Sequence, residues 1–151
     1  MKRFILASIV ATSAVAATGP SRAADTCKLT PKEVVTRFMT TFYIDKKVRE
    51  AFETWVVPSY IQHNPLAQNG RDSAIQFLEP YFAKNPGITY SIKRIIADGN
   101  LVAVHSHGIF TPGSPGNAIV DILRVENCKV VEHWDVIQPV PEKSANSNTM
   151  F

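Results

Sequence analysis

The sequence predicts an α+β domain, with helices packed on one face of a curved, mainly antiparallel sheet. Three observations predict it. Apolar residues recur at helical spacing through the first half of the chain past residue 24. The period changes to two after Asn85-Pro86-Gly87. The period-two segments then follow one another across short links, which suits antiparallel neighbours. A chain of 151 residues, 45% hydrophobic and 19% charged, can bury an ordinary core as one domain.

Thr30-Pro31-Lys32-Glu33 reads as a helix start. Thr30 can cap, Pro31 suits the first turn and Glu33 can complete a capping box. Val34, Val35, Phe38, Met39, Phe42 and Tyr43 then form an apolar stripe. A second stripe, Val48, Ala51, Phe52, Trp55 and Val56, is expected to end at Pro58. Asn69-Gly70 marks a turn, and Ala74, Ile75, Phe77, Leu78, Tyr81 and Phe82 predict a third helix, shortened or kinked at Pro80. Strands are expected from Ile88 to Asp98, Leu101 to Phe110, Ala118 to Glu126 and Lys129 to Gln138. Asn127-Cys128 sits where a hairpin turn belongs. The tail, residues 139–151, is polar and expected to be weakly ordered, with Met150-Phe151 able to dock.

Residues 1–24 read as a secretory signal peptide. Lys2 and Arg3 supply a positive start, Phe4 to Ala17 is apolar but short for a span, and Ser21-Arg22-Ala23 carries small residues where a signal peptidase reads. The expected organisation is a leader at 1–24, a domain at 25–138 and a tail at 139–151, in a periplasmic or secreted protein. The leader holds Lys2, Arg3 and Arg22 and no acid, so the remainder balances its 13 acids with as many bases. The basic character therefore belongs to the leader, and the other lysines and arginines are scattered. No nucleic acid is expected as a partner, and no membrane after leader cleavage. An oxidising compartment would let Cys27 and Cys128 pair. Closing a loop of about 100 residues stabilises by at most roughly 4–5 kcal/mol in the chain-entropy model.

The candidate chemistry lies on the strands. Strand parity places His105 and His107 with Leu101, Ala103 and Ile109, His133 and Asp135 with Val131 and Ile137, and Asp121 with Ile119, Leu123 and Val125. If those sides form the concave face, several titratable groups meet in one apolar pocket suited to proton transfer. Asp121 could instead pair with Arg94 or Arg124. Trp134 falls on the opposite side from its neighbours and is a candidate ligand contact or packing residue. His63 and Asn64, at the end of what reads as a helical segment, are placed to reach the mouth of the pocket. No phosphate-binding loop and no nucleophile elbow occurs. His105-Ser106-His107 has metal-ligand spacing, but the Glu a cupin would add is missing, so no metal or other cofactor is expected. A site built on His105, His107 and His133 is the metal alternative.

Taken together, Tyr60-Ile61-Gln62-His63-Asn64-Pro65, Gly70-Arg71, Val104-His105-Ser106-His107, Val120 to Asn127 and Lys129 to Gln138 resemble the SnoaL-like proteins, from about Pro31 to the C-terminus. That family includes polyketide cyclases and proteins predicted to catalyse aldol condensations. The resemblance implies the cone-shaped fold of the nuclear-transport-factor-two superfamily, in which a strongly curved sheet encloses an apolar pocket. It also implies a homodimer through the sheet. In the cyclases an aspartate acts as acid/base beside a histidine. The counterparts here are Asp121 or Asp135 with His107 or His133, and Asp121 with His107 is the expected pair. His63, Asn64, His105 and Trp134 are expected to contact a small, largely apolar carbonyl compound. Two departures stand out. Asn127-Cys128 replaces the usual Asn-Gly turn, where Cys accepts a positive φ less readily. A leader also precedes a domain whose cyclase relatives work in the cytoplasm. An exported protein that binds its ligand without chemistry is the competing expectation.

Overall fold

The computed structural model describes residues 28–151. The expected signal peptide, residues 1–24, and Cys27 lie outside the described residues. Helix α1, Pro31–Met39, begins with the expected capping box: the Thr30 N–H donates to Glu33 Oε2 at 2.7 Å, and the Glu33 N–H donates to Thr30 Oγ1 at 3.3 Å. Val34, Val35, Phe38 and Met39 form its buried face. The stripe does not continue as a plain helix. A π-helical turn, Thr40–Ile44, carries it on, with the Asp45 N–H reaching back to the Thr40 carbonyl at 3.0 Å. Phe42 is buried in that turn and Tyr43 is half-buried beside it.

Helix α2, Val48–Trp55, ends before Pro58, and the chain enters strand β1, Val56–Gln62, at once. The sequence reading takes this segment as helix end, and the structure corrects it. Pro58 is tolerated because β1 is an edge strand, and its pairing register shifts between Val56 and Ile61. A residue without an N–H costs little at such a bulged edge. Helix α3, Arg71–Lys84, passes through Pro80 instead of stopping there. Pro80 is exposed, so the ring sits on the water side while Ile75 and Phe82 bury the other face.

Strands β2 (Thr89–Asp98), β3 (Leu101–Ile109), β4 (Asn117–Glu126) and β5 (Lys129–Pro139) follow as expected, within a residue or so at each end. The sheet order is β1-β5-β4-β3-β2. Its only parallel pair among the described residues is β1 with β5, and the sheet is not closed. Asn127 and Cys128 both take positive φ, 48° and 57°, as a two-residue hairpin requires. The helices cover one face of the sheet, and Val34, Phe38, Phe52, Val102, Val104 and Leu123 belong to the shared core. No helix among the described residues is long and apolar enough to cross a membrane.

Candidate functional site

Burial identifies the inner face of the sheet. On β3 it is Val102, Val104 and Ser106 that are fully buried, and His105 and His107 alternate with them on the outer face. Parity pairs the two histidines correctly but cannot tell which side is inside, and the buried valines take the core side. His105 Nδ1 accepts from Arg94 Nη1 at 3.0 Å. His107 Nε2 lies 2.8 Å from the Pro115 carbonyl, to which it donates. A Cβ on Gly116 would stand 2.7 Å from that Nε2 and from the Gly108 carbonyl oxygen, and φ is +81° there, so only glycine fits. The Phe151 ring docks over both histidines, 4.4 Å from His107 and 5.7 Å from His105 between centroids, with Lys93 over its face.

The expected pairing of Asp121 with His107 is therefore corrected, because the sheet lies between them. The three-histidine metal site fails for the same reason. Trp134 and His63 are also on the outer side. Their rings stack at 4.7 Å with 4° between planes, and His63 Nε2 lies 2.8 Å from Glu132 Oε1. Arg124 binds Glu132 from the other side at 2.7 Å and also pairs with Glu126, while Arg94 holds His105, so neither arginine pairs with Asp121.

Burial and the positive charges of Arg94 and Lys93 hold the His105 imidazole below its ordinary range. A lowered histidine pKa means the folded state takes its proton later than the unfolded state. Stability from this group is lost as pH falls from the unfolded value toward the folded one. An NMR titration should place the His105 midpoint below that of free histidine, and Arg94→Gln should bring it closer; an unmoved midpoint would contradict the charge effect.

The inner face carries the remaining candidates. Asp121 and Asp135 are direct cross-strand partners on β4 and β5, and His133 faces Leu123. A register shift between Arg124 and Val125 leaves Val131 as the extra residue on β5. This bulge breaks simple alternation, so Val130 is the fully buried residue at that end while His133, Asp135 and Ile137 line the cavity. Asp121 is only 4% exposed. Such a carboxyl group needs partners, and it has two. The Tyr90 hydroxyl donates to Oδ2 at 2.6 Å, and His133 Nε2 lies 3.1 Å from Oδ1. Tyr90 stacks on Tyr43 at 3.8 Å. Burial, and then the charge of Asp121, push the phenols of Tyr43, Tyr60 and Tyr90 well above the ordinary range, so each stays a hydrogen-bond donor.

Asn64 belongs to this group. Its Nδ2 donates to Asp135 Oδ2 at 2.7 Å, and its Oδ1 caps the next turn by accepting from the Leu66 N–H at 2.8 Å. Gln62 and Tyr60 complete the polar wall, Tyr90 holds Asp121 in it, and sequence reasoning missed all three as site residues. Gln62 and Tyr60 lie inside the Tyr60–Pro65 motif, which is the one signal that could have found them.

Together these groups form one wall of a cavity of about 770 Å³ between the helices and the sheet. Its other walls are largely aromatic, including Phe38, Phe42, Phe52, Phe77, Phe82 and Phe110. Leu66, 93% exposed, and Phe77, 65% exposed, mark the solvent side. The arrangement can hold an apolar body and present two carboxyl groups and an imidazole to one polar end. Asp121, His133 and Asp135 also bring one ligand atom each to within 4.8 Å of one another, a spacing a cation could share.

The fold has relatives among solved structures. Wild-type IdmH from Streptomyces antibioticus, a candidate polyketide cyclase, is 18% identical, over 72% of this chain and 92% of that one, with a TM-score of 0.58. An NTF2-like protein of unknown function from Cytophaga hutchinsonii is 12% identical, over 76% and 95%, at 0.62. A candidate SnoaL-like polyketide cyclase from Jannaschia sp. CCS1 is 15% identical, over 74% and 90%, at 0.56. At such identities they bear on the fold alone, which is NTF2-like. No curated protein matches the sequence. Residues 35–133 match the SnoaL-like domain, a span that runs from the buried face of α1 to the site histidine on β5. This chain belongs to the SnoaL-like domain family.

Proposed function

We propose that this protein is an exported SnoaL-like catalyst that needs no cofactor and moves a proton α to the carbonyl group of a small, largely apolar compound. Asp121 carries the reading. It is a nearly inaccessible carboxyl group at the back of an aromatic cavity, held by a phenol and an imidazole. A structural aspartate would be expected at the surface or paired with an arginine or lysine, and here Arg94 and Arg124 are engaged elsewhere. Asp135, less buried and steadied by Asn64, is placed to take the α-proton. The Asp121–His133 pair is placed to supply one to the carbonyl oxygen. This is the chemistry of an aldol, cyclase or isomerase type of reaction.

The cavity volume suits a ligand of ordinary small-molecule size. Exposed Ile96, Leu101 and Val136 on the outer face support a homodimer through the sheet. The leader and a Cys27–Cys128 disulfide complete the proposal of a periplasmic or secreted protein. The test is a panel of apolar ketones and matched carboxylates of similar size, assayed by ligand-observed NMR. The ketones should bind, and Phe77→Asp should weaken them at least tenfold. Preferential binding of the charged set would contradict the reading.

A further inference from the structure

Gln62 is locked from both ends. Its Oε1 accepts from the Asn64 backbone N–H at 2.9 Å, and its Nε2 donates to the Tyr60 hydroxyl oxygen at 3.2 Å. A backbone N–H can only donate, so the amide cannot be flipped. The same Oε1 lies 2.9 Å from His133 Nδ1. An amide oxygen has no hydrogen to give, so Nδ1 must carry one. The other nitrogen, Nε2, then faces Asp121 Oδ1 at 3.1 Å. A neutral imidazole with its hydrogen on Nδ1 offers only a lone pair there. A carboxylate oxygen offers only lone pairs too, and the Tyr90 hydroxyl is already spent on Oδ2. The contact is attractive only if a proton sits within it.

We propose that Gln62 is a positioning residue: it fixes the tautomer of His133, so that His133 Nε2 and Asp121 Oδ1 hold one proton between them as the site's acid. In the reaction, the C–H bond α to the carbonyl breaks and its proton goes to Asp135. The electron pair forms the C=C bond of an enol. The carbonyl oxygen takes the shared proton from the Asp121–His133 pair, and reversal restores both groups. This donor role rests on the acid–base reading above, whereas the location of the proton does not.

The experiment is ¹⁵N NMR of the ring nitrogens in the histidine-labelled protein at neutral pH, with and without a chelator. In the wild type, His133 Nδ1 should fall in the protonated range, and no resonance should depend on the chelator. Gln62→Met removes the acceptor, so Nδ1 should move to the unprotonated range. Gln62→Glu keeps an acceptor and should restore the wild-type pattern, which a merely structural role would not do. An unprotonated Nδ1 in the wild type would overturn the proposal, and so would a chelator-sensitive Nε2, which would place a metal ion where the proton is assigned. The expected ¹⁵N pattern in a protein that never exchanges a ligand's α-protons would leave the tautomer standing and remove the catalytic reading.

Discussion

Replacing Asp121 with Asn should slow proton exchange α to the carbonyl of a bound ketone by about 10²–10⁴-fold, the usual contribution of a positioned acid or base. The substitution is nearly isosteric, and the Asn side-chain oxygen can still accept from Tyr90, whose hydroxyl lies 2.6 Å from Asp121 Oδ2. What Asn cannot do is share a proton with His133. Far-UV circular dichroism should therefore be unchanged while exchange collapses. Exchange at the wild-type rate in this variant would remove Asp121 from the reaction and leave the acid–base role to Asp135 alone, which stands opposite on β5.

The second large effect concerns stability. Phe42→Ala should cost about 3–5 kcal/mol in urea unfolding, the range for removing a buried aromatic side chain. Phe42 is 4% exposed, and its ring meets those of Phe38, Phe52 and Phe82 at 5.8, 5.3 and 5.3 Å between centroids. These rings come from α1, α2 and α3, so the π-helical turn delivers one side chain to the meeting point of all three helices. The same rings line the cavity, so the site depends on this packing. A cost below about 1 kcal/mol would mean that the helices close over the gap and that the junction is not where the layer is secured.

The fold class was legible because the hydrophobic period changes once, near Asn85, and the four later strands obey it. Strand β1 was not, because α2 runs into it without a turn residue and Pro58 reads as a terminator instead of an edge-strand bulge. Register carried the same lesson into the site. Alternation placed His105 beside His107 on one face, yet which face is inside depends on whether the valines or the histidines are buried, a property of the packed sheet. The bulge at Val131 is likewise invisible to a period of two. Asp121, Asp135 and His133 could be found because ionisable groups in apolar strands are conspicuous. Gln62 and Tyr60 were signalled only by the motif that contains them and Tyr90 by nothing, since their chemistry arises only when β1 brings Gln62 to His133 and β2 brings Tyr90 to Asp121.

The most direct test of the central claim is NMR of an apolar ketone incubated with the purified protein in D₂O. Deuterium should appear at the α-carbon at a rate that saturates with ketone concentration and well exceeds that in buffer alone. A ketone that binds in the cavity and keeps its α-protons at the buffer rate would contradict it, and would make this a protein that holds its ligand without transforming it.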